Sequence, residues 1–419
     1  MKTLFLTVSL QAFILASPVL AGLTLPQTRQ AAAEIDGALA DFWKAQKVTP
    51  NAAVSDEVFL RRIYLDLAGR IPNPTECQTF LQSTQSDKRA ALIRQLLQQE
   101  SYVSHFYNYW ADVLRFKSYF VNTANVIPAA YGQFLKESLR TNKPYDQFVR
   151  EMLAAKGYAW DNPAVGYYQR DPGMPLDNMA ITSRIFLGTR IECAQCHDHP
   201  FDKWKQSDFY HLAAYTHSNN SINEAFEGAR AAIKKREDVI QEQFQQERKG
   251  AADGGKAAEA RRKERLEAMQ YRRVVNIIKD CVGQLFSPIG LQRKPESVLK
   301  LPHDYKYDDA KPFDVMAPAT LMGDAAPMIS GKDSADVFAQ WVTSSKNPRF
   351  TKVIVNRLWK KMFGLPLNER YDDLRDDSQA MIPELEKHLE KLMITLRYDM
   401  KDFLGIIAST KAYQSTASA

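Results

Sequence analysis

Apolar residues recur every three or four positions through most of this chain, and polar caps, Pro and Gly punctuate the recurrences. That spacing fits one face of an α-helix and not the alternation of a strand. SDEVFLRRIYLDLAGRIP places Val58, Ile63, Leu65 and Leu67 around a helix that Ser55 caps and Gly69 ends. NPTECQTFLQ follows, with Asn73 as cap, Pro74 at the first helical position and Glu76 at the third. Lys88 to Leu97 is amphipathic. SYVSHFYNYWADVLRF repeats apolar residues at 103, 106, 110, 113 and 114, and its aromatics read as core before they read as cofactor lining. NKPYDQFVREML begins at Pro144. ITSRIFLGTRIECAQCH predicts a helix running up to two thiols, and Ser207 then caps DFYHLAAYTH. NPRFTKVIVNRLWKKMFG starts at Asn347-Pro348 and stops at Gly364, and residues 382–412 predict two more helices. The expected fold class is mainly α.

A length of 419 residues suggests several units. Residues 1–21 read as a secretory signal peptide: Lys2, an apolar run from Leu4 to Leu15 too short to cross a bilayer, and a small-residue exit at Ala21. The chain is therefore expected in the periplasm or outside the cell. Residues 30–220 form a helical domain holding the thiols, within which 157–178 read as a long loop, rich in Gly, Pro, Asp and Asn. Residues 221–280 read as a charged antiparallel helical hairpin: Phe226, Ala229, Ile233, Ile240 and Phe244 make a thin stripe, and GAADGGK makes the turn. Residues 281–419 read as an extended linker, with short strands, and a smaller helical C-terminal domain. No later stretch approaches about 18 uninterrupted apolar residues, so no transmembrane anchor is expected. Lys and Arg total 55 against 49 Asp and Glu, a net charge of +6. The signs are interleaved without a basic block, which argues against a nucleic-acid partner. No phosphate-cradling Gly loop, GxSxG elbow or HExxH is present, and no carboxylate pair stands out by spacing, so no enzymatic class is assigned.

CAQCHDHPFDKW, residues 193–204, holds two of the four cysteines and two of the seven histidines. Covalent haem needs two thiols at this separation, one for each porphyrin vinyl group, and an imidazole next in line for the iron. Cys193, Cys196 and His197 meet that requirement, and export suits it. A zinc site drawing on Cys193, Cys196 and His197 or His199 is an alternative, although no second ligand pair follows at short spacing. A loop disulfide is another. For haem c, His197 is the expected proximal ligand and His217 the expected sixth. His211 and the methionines 174, 179, 316, 322 and 328 are further possibilities for that sixth position. His199 lies too close to His197 to reach the opposite face. Asp198, Asp202 and Trp204 read as supporting or packing groups. Cys77 and Cys281 lie far apart in sequence and read either as a disulfide or as two buried thiols.

IYLDLAGRIPNPTE, NKPYDQFVREML, FLGTRIECAQCHDHPFDKWKQSDFYHLAAY and NPRFTKVIVNRLWKKMFG together resemble a large secreted family of planctomycete type. Its members join a cytochrome-c-like domain of unknown function to a second uncharacterised domain, and the resemblance covers roughly residues 35 to 415. It implies an exported c-type cytochrome-like haem protein that transfers electrons with a redox partner protein, Cys193, Cys196 and His197 holding the haem. The alternative expectation is a non-haem secreted binding or scaffold protein associated with polysaccharide breakdown, its cysteines structural or zinc-binding. Family members typically continue past the equivalent of KAYQS, so either a short C-terminal domain or a truncated gene is expected.

Overall fold

The computed structural model describes residues 22–118, 126–222, 289–323 and 332–417, together with Ala326 and isolated positions between 235 and 273. It is mainly helical. Helix α1 (Leu25–Ala45) precedes α2 (Asp56–Ile63), which widens into a π-helical turn over Tyr64–Ala68 and ends on Gly69 at φ 65°. The wider turn shifts the helical phase. Phe59, Leu60, Ile63, Tyr64 and Leu67 are buried, while Val58 and Leu65, also counted in the apolar repeat, stand 48% and 40% exposed.

Helix α3 (Pro74–Gln82) carries the expected capping box: Glu76 N–H donates to Asn73 Oδ1 at 2.9 Å, and Asn73 N–H donates to the Glu76 carboxylate at 2.8 Å. Arg70 also grips both Glu76 oxygens and holds that carboxyl down to about 2. Helices α4 (Lys88–Leu97), α5 (Glu100–Val113), α6 (Val126–Arg140) and α7 (Tyr145–Leu153) follow. The α5 aromatics are core: Tyr102, Phe106 and Trp110 are sealed, and Trp110 lies against Tyr145 and Phe148.

Residues 157–178 are not an open loop. They hold strand β1 (Gly157–Tyr158), a 3-10 turn at Pro163–Val165 and the short helix α8 (Gly166–Gln169), and Ala164 through Gln169 are buried. Gly166 passes so close to Tyr131 that a Cβ there would collide with it. A segment buried on every side has no polar face and hence no period to read.

Helix α9 (Pro175–Leu187) stops at Gly188, at φ 55°, four residues short of the turn that holds the thiols. Any side chain at 188 would meet the Tyr371 carbonyl at 2.6 Å. Helix α10 (Gln206–Ala213) begins one residue before Ser207; Lys205 is its cap, its N–H donating to Asp208 at 2.9 Å, and the Ser207 hydroxyl donates to Asp309 instead. Strands β2 (Asn219–Ile222) and β3 (Gly290–Arg293) complete an antiparallel sheet in the order β1-β3-β2, with Ser221 and Gly157 both opposite Leu291. The expected charged hairpin between β2 and β3 lies outside the described residues, apart from exposed helical positions such as Lys235, Glu242 and Arg262. Ile222 pairs with Gly290, so the two ends of that stretch are brought together.

Helices α11 (Ser334–Val342), α12 (Phe350–Phe363), α13 (Pro383–Thr395) and α14 (Met400–Ser409) close the fold. Asn347 Oδ1 accepts from the N–H groups of Arg349 and Phe350 at the start of α12, and Gly364 ends it at φ 83°. Helix α14 buries Met400, Phe403, Leu404, Ile406, Ile407 and Ala408, an apolar surface running round the helix that needs neighbours on all sides. Helix α1 covers it on one side, and Gly405 lets α4 approach, its Cβ position lying 3.3 Å from Leu97. One hydrophobic core therefore runs from Ala32 to Tyr413. Among the described residues no helix is long and apolar enough to cross a membrane.

On the outer side of α12, Lys352 lies 3.3 Å from the Glu386 carboxylate and 3.9 Å from Glu390, and Asn356 donates to Glu386 at 2.7 Å. Burial pushes the Glu390 carboxyl up to about 7; Lys352 pulls it back and the Glu386 charge adds to the rise. A folded value above the unfolded one contributes stability that is full below about pH 4.5 and lost as pH rises through 7. Glu390→Gln should therefore raise the unfolding free energy by about 1–2 kcal/mol at pH 8.5, allowing for solvent screening, and leave it unchanged at pH 4.5. Paired urea titrations at the two pH values measure this. Phe403→Ala should cost about 3–5 kcal/mol in the same assay, with one cooperative transition because the halves share a core. Two separated transitions in wild type would contradict that sharing.

Candidate functional site: an exposed Cys-x-x-Cys-His turn

After Gly188 the chain runs extended to a 3-10 turn at Glu192–Gln195. Ile191 and Ala194 are fully buried and pin the turn from below. Residues three apart lie one above the other in 3-10 geometry, so Cys193 and Cys196 fall on the same side. Both are exposed, free thiols. The Cys193 carbonyl accepts from the N–H groups of Cys196 at 3.2 Å and His197 at 3.3 Å, which closes the turn under the imidazole.

His197 Nδ1 lies 2.7 Å from the Asp198 carbonyl. A carbonyl only accepts, so Nδ1 is the donor, and in the neutral ring that tautomer leaves the lone pair on Nε2. Asp198 is held in turn: its N–H donates to the Tyr307 hydroxyl at 2.8 Å, and its carboxylate accepts from Gln206 N–H at 2.8 Å. The Gln206 side chain also donates to the Gln195 carbonyl at 3.2 Å. Sequence reasoning missed Tyr307 and Gln206. Tyr307 sits 109 residues from its partner in a stretch without periodicity, and no local signal marks such a contact.

The supporting groups divide unequally. Asp198 takes the structural role described, whereas Asp202 accepts from the N–H of its neighbour Lys203. Trp204 is buried, and its carbonyl accepts from His199 N–H. His199 Nδ1 accepts from Phe201 N–H, which folds its ring back on the loop. Phe201 itself stands 77% exposed. Below the turn, Ser207 and Tyr305 donate to Asp309 and hold its carboxyl below the ordinary range, Tyr305 foremost. The Tyr210 hydroxyl is pushed up by burial and then by the neighbouring charges of Cys196 and Asp304.

His217 follows the end of α10. It lines a cleft of about 510 Å³ whose walls include none of Cys193, Cys196 and His197. Its Nδ1 is buried without a partner among the described residues, and burial lowers its pKa. His211 donates from Nδ1 to the Ala317 carbonyl at 2.7 Å. Met179 and Met316 are buried, Met174 is exposed, and Met328 lies outside the described residues. Cys77 is half-buried on α3, and Cys281 lies outside the described residues. Among the described residues no three His, Cys, Asp or Glu side chains converge as a metal site, so zinc at this turn would have to draw further ligands to it. What the turn offers is two thiols on one side and an imidazole whose Nε2 lone pair is free to bind.

Residues 34–221 match a family model described as PSCyt2, protein of unknown function (DUF1549), and residues 336–419 match one described as PSD1, protein of unknown function (DUF1553). No curated protein and no solved structure matches the chain. The chain thus joins two domains of unknown function, the first of which contains the Cys-x-x-Cys-His turn and the second of which supplies helices α12 to α14.

Proposed function

We propose that this chain is an exported protein carrying one covalently attached haem c, with Cys193 and Cys196 as the thioether residues and His197 as the proximal ligand, and that it exchanges electrons with a redox partner protein. The observation that carries the reading is the hydrogen bond from His197 Nδ1 to the Asp198 carbonyl, which leaves Nε2 as the ligating nitrogen. A ligating imidazole is ordinarily anchored through its other nitrogen in this way, which fixes the tautomer and raises the basicity of the ligand. The rest of the donor set also fits. Both thiols are free and exposed, so the attachment chemistry can reach them without unfolding the domain.

Haem, when bound, supplies one-electron chemistry, with a potential set by its axial ligands and surroundings. The chain's own residues do the rest. Asp198 orients the imidazole, Tyr307 and Gln206 hold Asp198, and Ile191 and Ala194 hold the turn to the core. An attachment site on the surface keeps the transfer distance to a partner short. The reading rests on Cys193, Cys196 and His197 alone, and does not require His217.

Protein produced with a cytochrome c maturation system should carry one haem mass and give the pyridine haemochrome bands of a c-type haem, and Cys193→Ser/Cys196→Ser should abolish both. A bare polypeptide mass under conditions that mature a control cytochrome would end the proposal. Brief native alkylation of the unloaded chain with iodoacetamide, followed by peptide mapping, should label Cys193 and Cys196 before half-buried Cys77. If either lags behind Cys77, the turn is not accessible as described.

A further inference from the structure

The cleft that His217 lines is separate from the thiol turn, and its walls have a chemistry of their own. It forms where the segment between α8 and α9 faces β2, β3 and the residues after β3. Its volume of about 510 Å³ lies in the range of small-molecule sites. Part of the lining is spent on building the wall. Gln169 donates to the Gly290 carbonyl at 2.9 Å and accepts from the Ser221 hydroxyl at 3.1 Å, and Asp171 is held by Arg170 at 2.7 Å. Asn178 donates to the Tyr167 carbonyl at 3.3 Å.

The remainder is unspent. The side chains of Gln292, Lys294 and Ser297 line the cleft and make no hydrogen bond with the described residues. Asn220 donates to the Ser218 carbonyl at 3.0 Å, which leaves its own carbonyl oxygen. His217 also lines the cleft, and its buried Nδ1 has no hydrogen-bond partner among the described residues. These groups come from three separate stretches of chain and face one space with donors and acceptors mixed.

That mixture excludes the main competing ligand classes. An anion would need convergent positive charge, and the cleft offers one exposed lysine, Lys294, against the Asp171 carboxylate. An apolar ligand would leave the amides and hydroxyls unpaired, at a desolvation cost for each. A ligand with many hydroxyls, each able to donate and accept, satisfies both kinds of group at once. The geometry points to a second site, independent of haem attachment: we infer that this cleft binds a neutral carbohydrate of one or two sugar units, with Gln292, Asn220, His217 and Ser297 as its hydrogen-bonding groups.

The full chain, with or without haem, is titrated by calorimetry and saturation-transfer NMR with D-glucose, D-galactose, D-xylose, N-acetylglucosamine and their β-1,4-linked dimers. At least one sugar should bind saturably. Gln292→Ala and Ser297→Ala should each weaken it by about fivefold, the loss of one or two hydrogen bonds, without moving the thermal midpoint. Lys294→Gln, which removes charge and keeps a donor, should change it by less than about twofold. Inorganic phosphate and citrate should not compete. Absence of saturable binding up to about 50 mM for every sugar named would overturn the inference, as would binding indifferent to both cleft variants or displaced by phosphate. Because Cys193, Cys196 and His197 are untouched, a failed haem assay and a failed sugar titration are separately readable.

Discussion

Helix α14 is apolar on nearly every side, and no arrangement that leaves it at a surface is stable. Its ten residues bury Phe403, Leu404, Ile406 and Ile407 completely, each worth roughly 1.5–3 kcal/mol of transfer free energy. The helices that cover it come from both ends of the chain, α1 and α4 from the first domain and α12 from the second. Polar contacts reinforce the same junction. Tyr413 donates to Asp66 at 2.6 Å, Asp36 accepts from the N–H groups of Lys411 and Ala412, and Arg62 and Asn51 reach carbonyls of the last described residues. Two sequence domains thus share one interior, and neither has a complete core without the other.

That junction also sets where the thiols stand. Helix α12 packs on α9, and Arg357 donates to the Ile185 carbonyl at 2.9 Å. The N–H of Leu374 donates to the Gly188 carbonyl at 2.7 Å, at the point where α9 ends. The second domain therefore holds the last turn of the helix that leads into the Cys-x-x-Cys-His turn, and Tyr307, from the stretch between the domains, holds the far side of it. The donor set sits on the first domain, but its position depends on residues more than a hundred places downstream.

The helices were legible because each keeps a polar face, and polar faces give periodicity. Lys88 to Leu97 and Asn73-Pro74 with Glu76 are read correctly, because caps and amphipathic faces are local properties. Where burial is complete or packing is distant, local reading fails. The Gly166-Tyr167-Tyr168-Gln169 segment looks like loop because every residue in it is buried. Gly188 lies inside the stretch expected to be helical, yet it ends the helix in the left-handed region, where a side chain would also meet the Tyr371 carbonyl. Val58 and Leu65 belong to the apolar repeat yet face outward, because Phe59, Leu60, Ile63, Tyr64 and Leu67 already fill the inner stripe. At the thiol turn, spacing singled out Cys193, Cys196 and His197, while the contacts of Tyr307 and Gln206 beneath them required the tertiary fold.

Helix α10 ties the two sites to each other. Its first residue, Gln206, holds Asp198 and Gln195 at the thiol turn, and the residues just beyond its last, Thr216 and His217, enter the wall of the polar cleft. Eight residues span about 12 Å, so the turn and the cleft stand at opposite ends of a two-turn rod. Phe209, Tyr210, Leu212 and Ala213 are buried along the rod, and the Ser207 hydroxyl fixes its start to Asp309. A rod packed this way resists bending but transmits small rigid shifts, because close-packed interiors have little room to absorb them. The rod thus sets the separation between the cleft wall at His217 and Asp198, the residue whose carbonyl lies against the His197 ring.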